Sequence, residues 1–179
     1  MSIKQFNLAN GQRAERKLLI TVAEWQEEVT SGGTTTTETV REILGTRTPD
    51  SAIEYNADIE TSTDIRGFNY TDLNKTQPQQ DFDPYLVLGG SRLGAFLNDI
   101  RRRNAVSELN QFTIYVITAF VGDATNGYEA EMHTGCTITY NSIGGESTVN
   151  FPISVYFSNN ITTGKVDVLT DDFEFTADV

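Results

Sequence analysis

One stretch of this sequence carries a convincing helical stripe; the other apolar runs alternate with period two or are apolar on both faces. Period two puts successive side chains on opposite faces of an extended strand, whereas a helix needs apolar residues at i, i+3, i+4 and i+7. The helical stretch is Arg92–Arg103, where Leu93, Phe96, Leu97 and Ile100 form the stripe. Ser91 is placed to cap its N-terminus, and Arg101, Arg102 and Arg103 complement the dipole at its C-terminus. Lys17–Gln26 is β-branched and aromatic and reads as a strand. In Ala52–Glu60, Ile53, Tyr55, Ala57 and Ile59 oppose Glu54, Asn56, Asp58 and Glu60, the pattern of a half-buried strand. Thr63–Thr71 continues as a second strand with a bulge at Gly67, and 75–84 is a connector. Phe112–Val121 is apolar on both faces and predicts a buried central strand. Tyr128–Tyr140 alternates. Ser147–Phe157 puts Val149, Phe151, Ile153, Val155 and Phe157 on one face, and Val166–Phe175 ends the fold.

Strands at hairpin spacing around one helix predict a mainly β chain. The expected architecture is an antiparallel β-sandwich or partial barrel with one flanking α-helix, a long loop and terminal arms. The length, 179 residues, suits a single domain over 1–179. Residues 1–16 are polar and aperiodic and read as an N-terminal arm, and 170–179 reads as a C-terminal tail. Residues 27–51 hold Ser31-Gly32-Gly33 and then Thr34, Thr35, Thr36 and Thr37. That segment is a long loop or a protruding hairpin, since threonine favours extended backbone. Thirteen Lys and Arg against 25 Asp and Glu give a net charge of −12, which argues against gripping nucleic acid. No stretch is long and apolar enough to span a bilayer, so no membrane partner is expected. The opening residues carry no apolar signal core, so export is not expected. One cysteine, Cys136, excludes an intrachain disulfide.

Few constellations suggest chemistry. His133 and Cys136 are the only residues of their types, and strand alternation points residues three apart to opposite faces. The expectation is an exposed histidine and a half-buried cysteine, with no metal pair. Leu88-Gly89-Gly90-Ser91-Arg92 lacks the glycine spacing and the Lys-Ser/Thr of a phosphate loop and reads as a capped helix entry. Asp81-Phe82-Asp83-Pro84 has too few ligands for calcium and reads as a loop anchored by Phe82 and Tyr85. No triad, paired acid or metal pattern appears, so neither enzymatic activity nor a cofactor is expected. Arg101, Arg102 and Arg103 are the only basic cluster and suit either local ion pairs or the acidic surface of a neighbouring subunit. The carboxylates Glu54, Asp58 and Glu60 on one strand face repel one another unless water screens them, and suit a surface that repels a polyanion.

The run Ile53-Glu54-Tyr55-Asn56-Ala57-Asp58-Ile59-Glu60 through Gly67, followed by Asn69–Thr76, resembles the major tail tube proteins of tailed bacteriophages and prophages of Gram-positive bacteria. Phe82-Asp83-Pro84, Leu88-Gly89-Gly90, Leu97–Asn104, Gly144-Gly145-Glu146, Pro152-Ile153 and Asp171-Asp172-Phe173 extend the resemblance over about residues 50–176. It implies a structural virion protein with a β-sandwich core and a flanking helix. Such proteins self-assemble into stacked hexameric rings, forming a hollow tail tube through which phage DNA passes. The implied partners are further copies of the chain, the tape measure protein and DNA held loosely in the lumen, and tail terminator and distal tail proteins. The implied location is the virion tail, after synthesis in the bacterial host cytoplasm. On this reading Glu54, Asp58 and Glu60 line an acidic lumen. The 1–16 arm, the 27–51 segment with Thr34–Thr37, the 170–179 tail and Arg101–Arg103 make contacts between rings or subunits. The alternative is a receptor- or carbohydrate-binding β-sandwich module of a virion, which would present its tyrosines as a concave platform.

Overall fold

Gly32 and Gly33, with φ of 60° and 83°, close a two-residue turn that joins β1 (Leu19–Ser31) to β2 (Thr34–Ile43) in register from Ser31↔Thr34 to Val22↔Ile43. A two-residue turn with both φ positive matches the twist of the strands it joins, and glycine adopts it without strain. The segment read as a loop or hairpin over 27–51 is therefore mostly hairpin, with loop only after Ile43. The remaining strands and the α-helix are β3 (Ile53–Glu54), β4 (Asp58–Thr63), β5 (Asn69–Lys75), β6 (Gln79–Phe82), α1 (Arg92–Arg103), β7 (Phe112–Asp123), β8 (Gly127–Tyr140), β9 (Ile153–Tyr156), β10 (Ile161–Val166) and β11 (Phe175–Ala177), with short 3-10 turns at Arg16–Leu18 and Val106–Asn110. This computed structural model describes residues 6–178; the expected arm and tail extend beyond them at residues 1–5 and 179.

All pairings are antiparallel, in the order β2-β1-β7-β8-β9-β6-β3, with β10 and β11 branching from β8. One strand makes the branch. Between Phe112↔Cys136 and Thr113↔Thr134, β8 carries an extra residue, Gly135, at φ 75°. Before this bulge β8 pairs with β10 (Tyr128–His133), and after it with β9 (Thr137–Tyr140). A bulge that re-aims a strand is how one sheet turns a corner into a second. Among the described residues the result is a mainly β, sandwich-like fold with one α-helix, and the sheet does not close into a barrel.

β7 is central, as its apolar composition requires. Phe112, Ile114 and Val116 face a core shared with Trp25 of β1, Ile153 and Val155 of β9, Phe82 of β6, and Leu93, Leu97 and Ile100 of α1. Tyr115 and Ile117 face the opposite way, into a second cluster with Val22, Val166 and Phe173. Trp25, Phe96 and Phe112 meet with ring centroids 5.8–6.2 Å apart and fasten α1 to the sheet.

The structure corrects several strand boundaries. Ala52–Glu60 is not one strand: Asn56, at φ 42°, breaks it into β3 and β4. Thr63–Thr71 is the closed end of the β4–β5 hairpin, and Gly67 (φ 81°) serves its turn rather than a bulge. In Ser147–Phe157 only Ile153–Tyr156 is strand; Phe151, Ile153, Val155 and Phe157 are buried, but Val149 is exposed. Val166–Phe175 runs from the last residue of β10 to the first of β11, and residues 167–174 are the connection between them. Within that tail Phe173 is buried, and the Arg41 guanidinium donates to its carbonyl at 2.6 Å while lying 4.4 Å over its ring. Phe173 is thus packed against the body and β11 pairs with β10, while most other residues of 170–178 are exposed.

Two predictions concern this C-terminal segment. A Cβ on Gly164 would sit 2.4 Å from the Thr176 carbonyl and 2.6 Å from the Phe175 ring. Gly164→Ala should push β11 off β10 at a cost of about 1–3 kcal/mol, read as a lower urea midpoint and faster proteolysis after Val166. Asp167 accepts from the Glu174 and Val168 amides at 2.8 and 2.9 Å, and these bonds hold its carboxyl below the usual carboxylate range. A depressed carboxyl contributes stability in full above its unfolded pKa and loses it as pH falls through the lower folded value. Exchange of the Glu174 amide should therefore stay slow at pH 5 and speed up below about pH 4 beyond the intrinsic pH trend. Asp167→Asn should abolish that extra pH dependence.

Candidate functional site: projecting hairpins and charged surfaces

β1 pairs with β7 only over Leu19–Glu24, so from Trp25 outward β2 is the only strand it pairs with. The outer half of the β1–β2 hairpin therefore leaves the sheet, and its end carries Thr34, Thr35, Thr36 and Thr37, all exposed. β2 is also the terminal strand of the sheet, so its outer backbone edge faces away from β1.

β4 and β5 form a separate two-stranded sheet that contacts chiefly itself. At its base the Gln77 amide donates to the Tyr55 carbonyl and Asn56 Nδ2 donates to the Gln77 carbonyl, at 3.0 and 3.1 Å. At its tip Asp64 Oδ1 accepts from the Arg66 and Phe68 amides at 2.8 and 2.9 Å. Ile59 stands opposite Leu73, and each is 61% exposed. Ile65, Phe68 and Tyr70 are exposed as well. The half-buried strand expected from Ala52–Glu60 is thus corrected: its apolar positions Tyr55, Ala57 and Ile59 face solvent in this chain.

The break at Asn56 also separates the three carboxylates expected on one face. Glu54 lies on β3 beside Gln79, bordering a hollow with Asp50, Asp81 and Asp83. Asp58 and Glu60 lie on β4, and Glu60 faces Asp72 across the hairpin. All three are exposed.

Arg101, Arg102 and Arg103 end α1 in the expected place. Arg103 is spent locally: its Nε donates to Asp99 at 2.6 Å, and its two terminal nitrogens donate to the Glu108 carboxylate at 2.8 and 2.9 Å. That fork holds the Glu108 carboxyl below its usual range. Arg101 donates to Asn98, and Arg102 has no partner among the described residues.

The start of α1 shows why Leu88–Arg92 is no phosphate loop. Ser91 accepts from the Gly94 amide as expected. The free amides of Arg92 and Leu93 donate instead to Glu42 Oε2 at 2.7 and 3.0 Å, and Ser91 and Tyr85 hydroxyls donate to Glu42 Oε1 at 2.8 and 2.9 Å. A carboxylate of β2 fills the anion site of the helix. Sequence reasoning missed Glu42 because its partners lie about 50 positions away, and an acid in an edge strand carries no signal of such a role.

His133 and Cys136 differ from expectation. They are 4% and 0% exposed. The bulge at Gly135 shifts the alternation by one, so both residues face inward, opposite Ile114 and Phe112. The His133 ring packs on Phe157 and its Nδ1 meets the Ser158 carbonyl at 3.2 Å; the Cys136 thiol meets the His133 carbonyl, and burial pushes its pKa up. Phe82 and Tyr85 are anchored in the core as expected. Tyr85 and Tyr115 are buried, with hydroxyls on Glu42 and Glu24, which removes them from any tyrosine platform. Burial raises both phenols, Tyr115 to about 12. Among the described residues no helix is long and apolar enough to cross a membrane.

No family model matches this chain, and no curated protein matches it in sequence. Among solved structures it is similar to a chain of the anti-feeding prophage (AFP) baseplate, a 6-fold symmetrised cryo-EM structure. The identity is 5%, the TM-score is 0.40, and the match covers 80% of this chain and 91% of that one. At that score the likeness is one of outline.

Glu42 offers a direct test of how α1 is held. Glu42→Ala leaves two helix amides and two hydroxyls without their acceptor and should cost about 2–3 kcal/mol, whereas Glu42→Gln should cost less. Urea unfolding followed by Trp25 fluorescence measures both, since Trp25 packs on α1.

Proposed function

We propose that this chain is a structural protein of a phage-type virion tail, which self-assembles into stacked, hexameric rings that form a hollow tube for DNA. The observation that carries this reading is the uncovered β4–β5 hairpin. A two-stranded hairpin is at best marginal by itself in water, and this one leaves Ile59, Ile65, Phe68, Tyr70 and Leu73 exposed. Such a segment makes physical sense when other molecules cover it. The outer edge of β2 and the projecting Thr34–Thr37 end supply further surface for neighbours, in line with the role expected of the 27–51 segment. The family resemblance of residues 50–176 supplies the kind of assembly.

Net charge completes the reading. With −12 per chain, rings of many copies carry a strong negative field. Exposed acids such as Glu54 with Asp50, Asp81 and Asp83 suit a wall that repels the DNA backbone, so DNA passes without being held. In this proposal Glu54 and its neighbours take the lumen role first assigned to Glu54, Asp58 and Glu60 together, because Asn56 carries the other two onto the hairpin. The partners are then further copies, a tape measure protein and DNA inside, and terminator and distal tail proteins at the ends, in the virion. No catalytic role or cofactor belongs to this reading.

Electron microscopy of the purified protein tests it. Hollow filaments or stacked rings are expected, with DNA failing to bind them at 0.15 M salt. A protein that stays monomeric at high concentration and binds glycans would replace the tube with a binding module.

A further inference from the structure

The exposed side chains of β4–β5 say that the hairpin is covered in the assembly; its charges say by what. On the face opposite Ile59 and Leu73 the cross-strand pairs are Glu60↔Asp72 and Ser62↔Tyr70, and beyond a register shift Asp58 stands opposite Lys75, which leaves the face net acidic. Like charges directly opposite one another weaken a hairpin. No ion pair relieves Glu60 or Asp72 among the described residues. Two carboxylates beside an exposed tyrosine ring make a surface suited to guanidinium, which donates bidentate bonds to carboxylates and stacks on aromatic faces.

The same chain displays the complement elsewhere. At the C-terminus of α1, Arg101 and Arg102 are exposed and make no ion pair among the described residues, because Arg103 alone takes Asp99 and Glu108. Val106, just beyond, is exposed and apolar. The surface is therefore basic with an apolar edge, where this face of the hairpin is acidic with an aromatic neighbour, Tyr70. In one chain the two sets are not joined by any ion pair.

We infer that the β4–β5 hairpin of one copy docks on the α1 C-terminus of a neighbouring copy, with Glu60 and Asp72 receiving Arg101 and Arg102 beside Tyr70. The contact joins two different patches, so it is head-to-tail and repeats from copy to copy, building a ring or a filament rather than a closed pair. The inference rests on the self-assembly proposed above and names the surfaces that carry it. It also gives Arg101 and Arg102 a role apart from the local bonds of Arg103.

Charge exchange in the full chain tests it. Glu60→Lys with Asp72→Lys, and separately Arg101→Glu with Arg102→Glu, should each reduce filament mass by at least tenfold in sedimentation and electron microscopy. Circular dichroism melting should show both variants folded like the wild type. Mixing the two variants in equal amounts should restore assembly, because each then offers the patch the other lacks. Combining all four substitutions in one chain should restore it as well. If the wild type assembles and the variants assemble equally well, or if neither the mixture nor the fourfold variant recovers, the docking is wrong while self-assembly stands. A wild type that forms no assemblies overturns both.

Discussion

Gly135 is the residue on which the architecture turns. β8 is paired with β7 from Gly127 to Cys136, and it must also serve two further partners, β10 before Gly135 and β9 after it. An extra residue in one strand of an antiparallel pair bends that strand and shifts its alternation by one. The bend leads β9, β6 and β3 away from β10, which lets them close with α1 over the core. The shift keeps His133 and Cys136 on the same inward side, opposite Ile114 and Phe112. The open space around an added Cβ at Gly135 means that the left-handed backbone, not crowding, favours glycine there.

Two charged side chains on β2 then tie distant segments to the sheet. Glu42 receives the N-terminus of α1, and Arg41 spans Glu24 on β1, the Phe173 carbonyl and the Phe173 ring. The two residues are adjacent on a strand, so they face opposite ways. One serves the face covered by α1 and the other the face covered by the C-terminal segment. Both are satisfied by several partners, as buried or half-buried charge requires. Among the described residues no buried side-chain polar atom is left without a partner.

Alternation misled where it met exposed hairpin. In Ala52–Glu60 the period-two pattern is real, but a pattern reports that two faces differ, not that one of them is buried in the same molecule. The positive φ of Asn56 cuts the run, and the apolar half of β4 then pairs with β5 away from the core. If neighbouring copies cover that face, the pattern records an interface instead of a core. The threonine-rich segment was legible only as a long loop or a protruding hairpin, since threonine favours extended backbone. What could not be read was how far β1 and β2 run beyond β7.

The local content of the sequence determined the single helix and its limits, the Ser91 cap, the central burial of β7, and the inward set Phe151, Ile153, Val155 and Phe157. Each depends on residues within a turn or two of one another, where period and capping chemistry act directly. Tertiary structure decided the rest: the fork at β8, the burial of His133 and Cys136, the Glu42 carboxylate at the start of α1, the division of Glu54 from Asp58 and Glu60, and the standing-off of β4–β5. These depend on partners tens of positions apart, or on one residue's backbone angle. Their free energy comes from desolvation and hydrogen bonds that exist only once the strands have met.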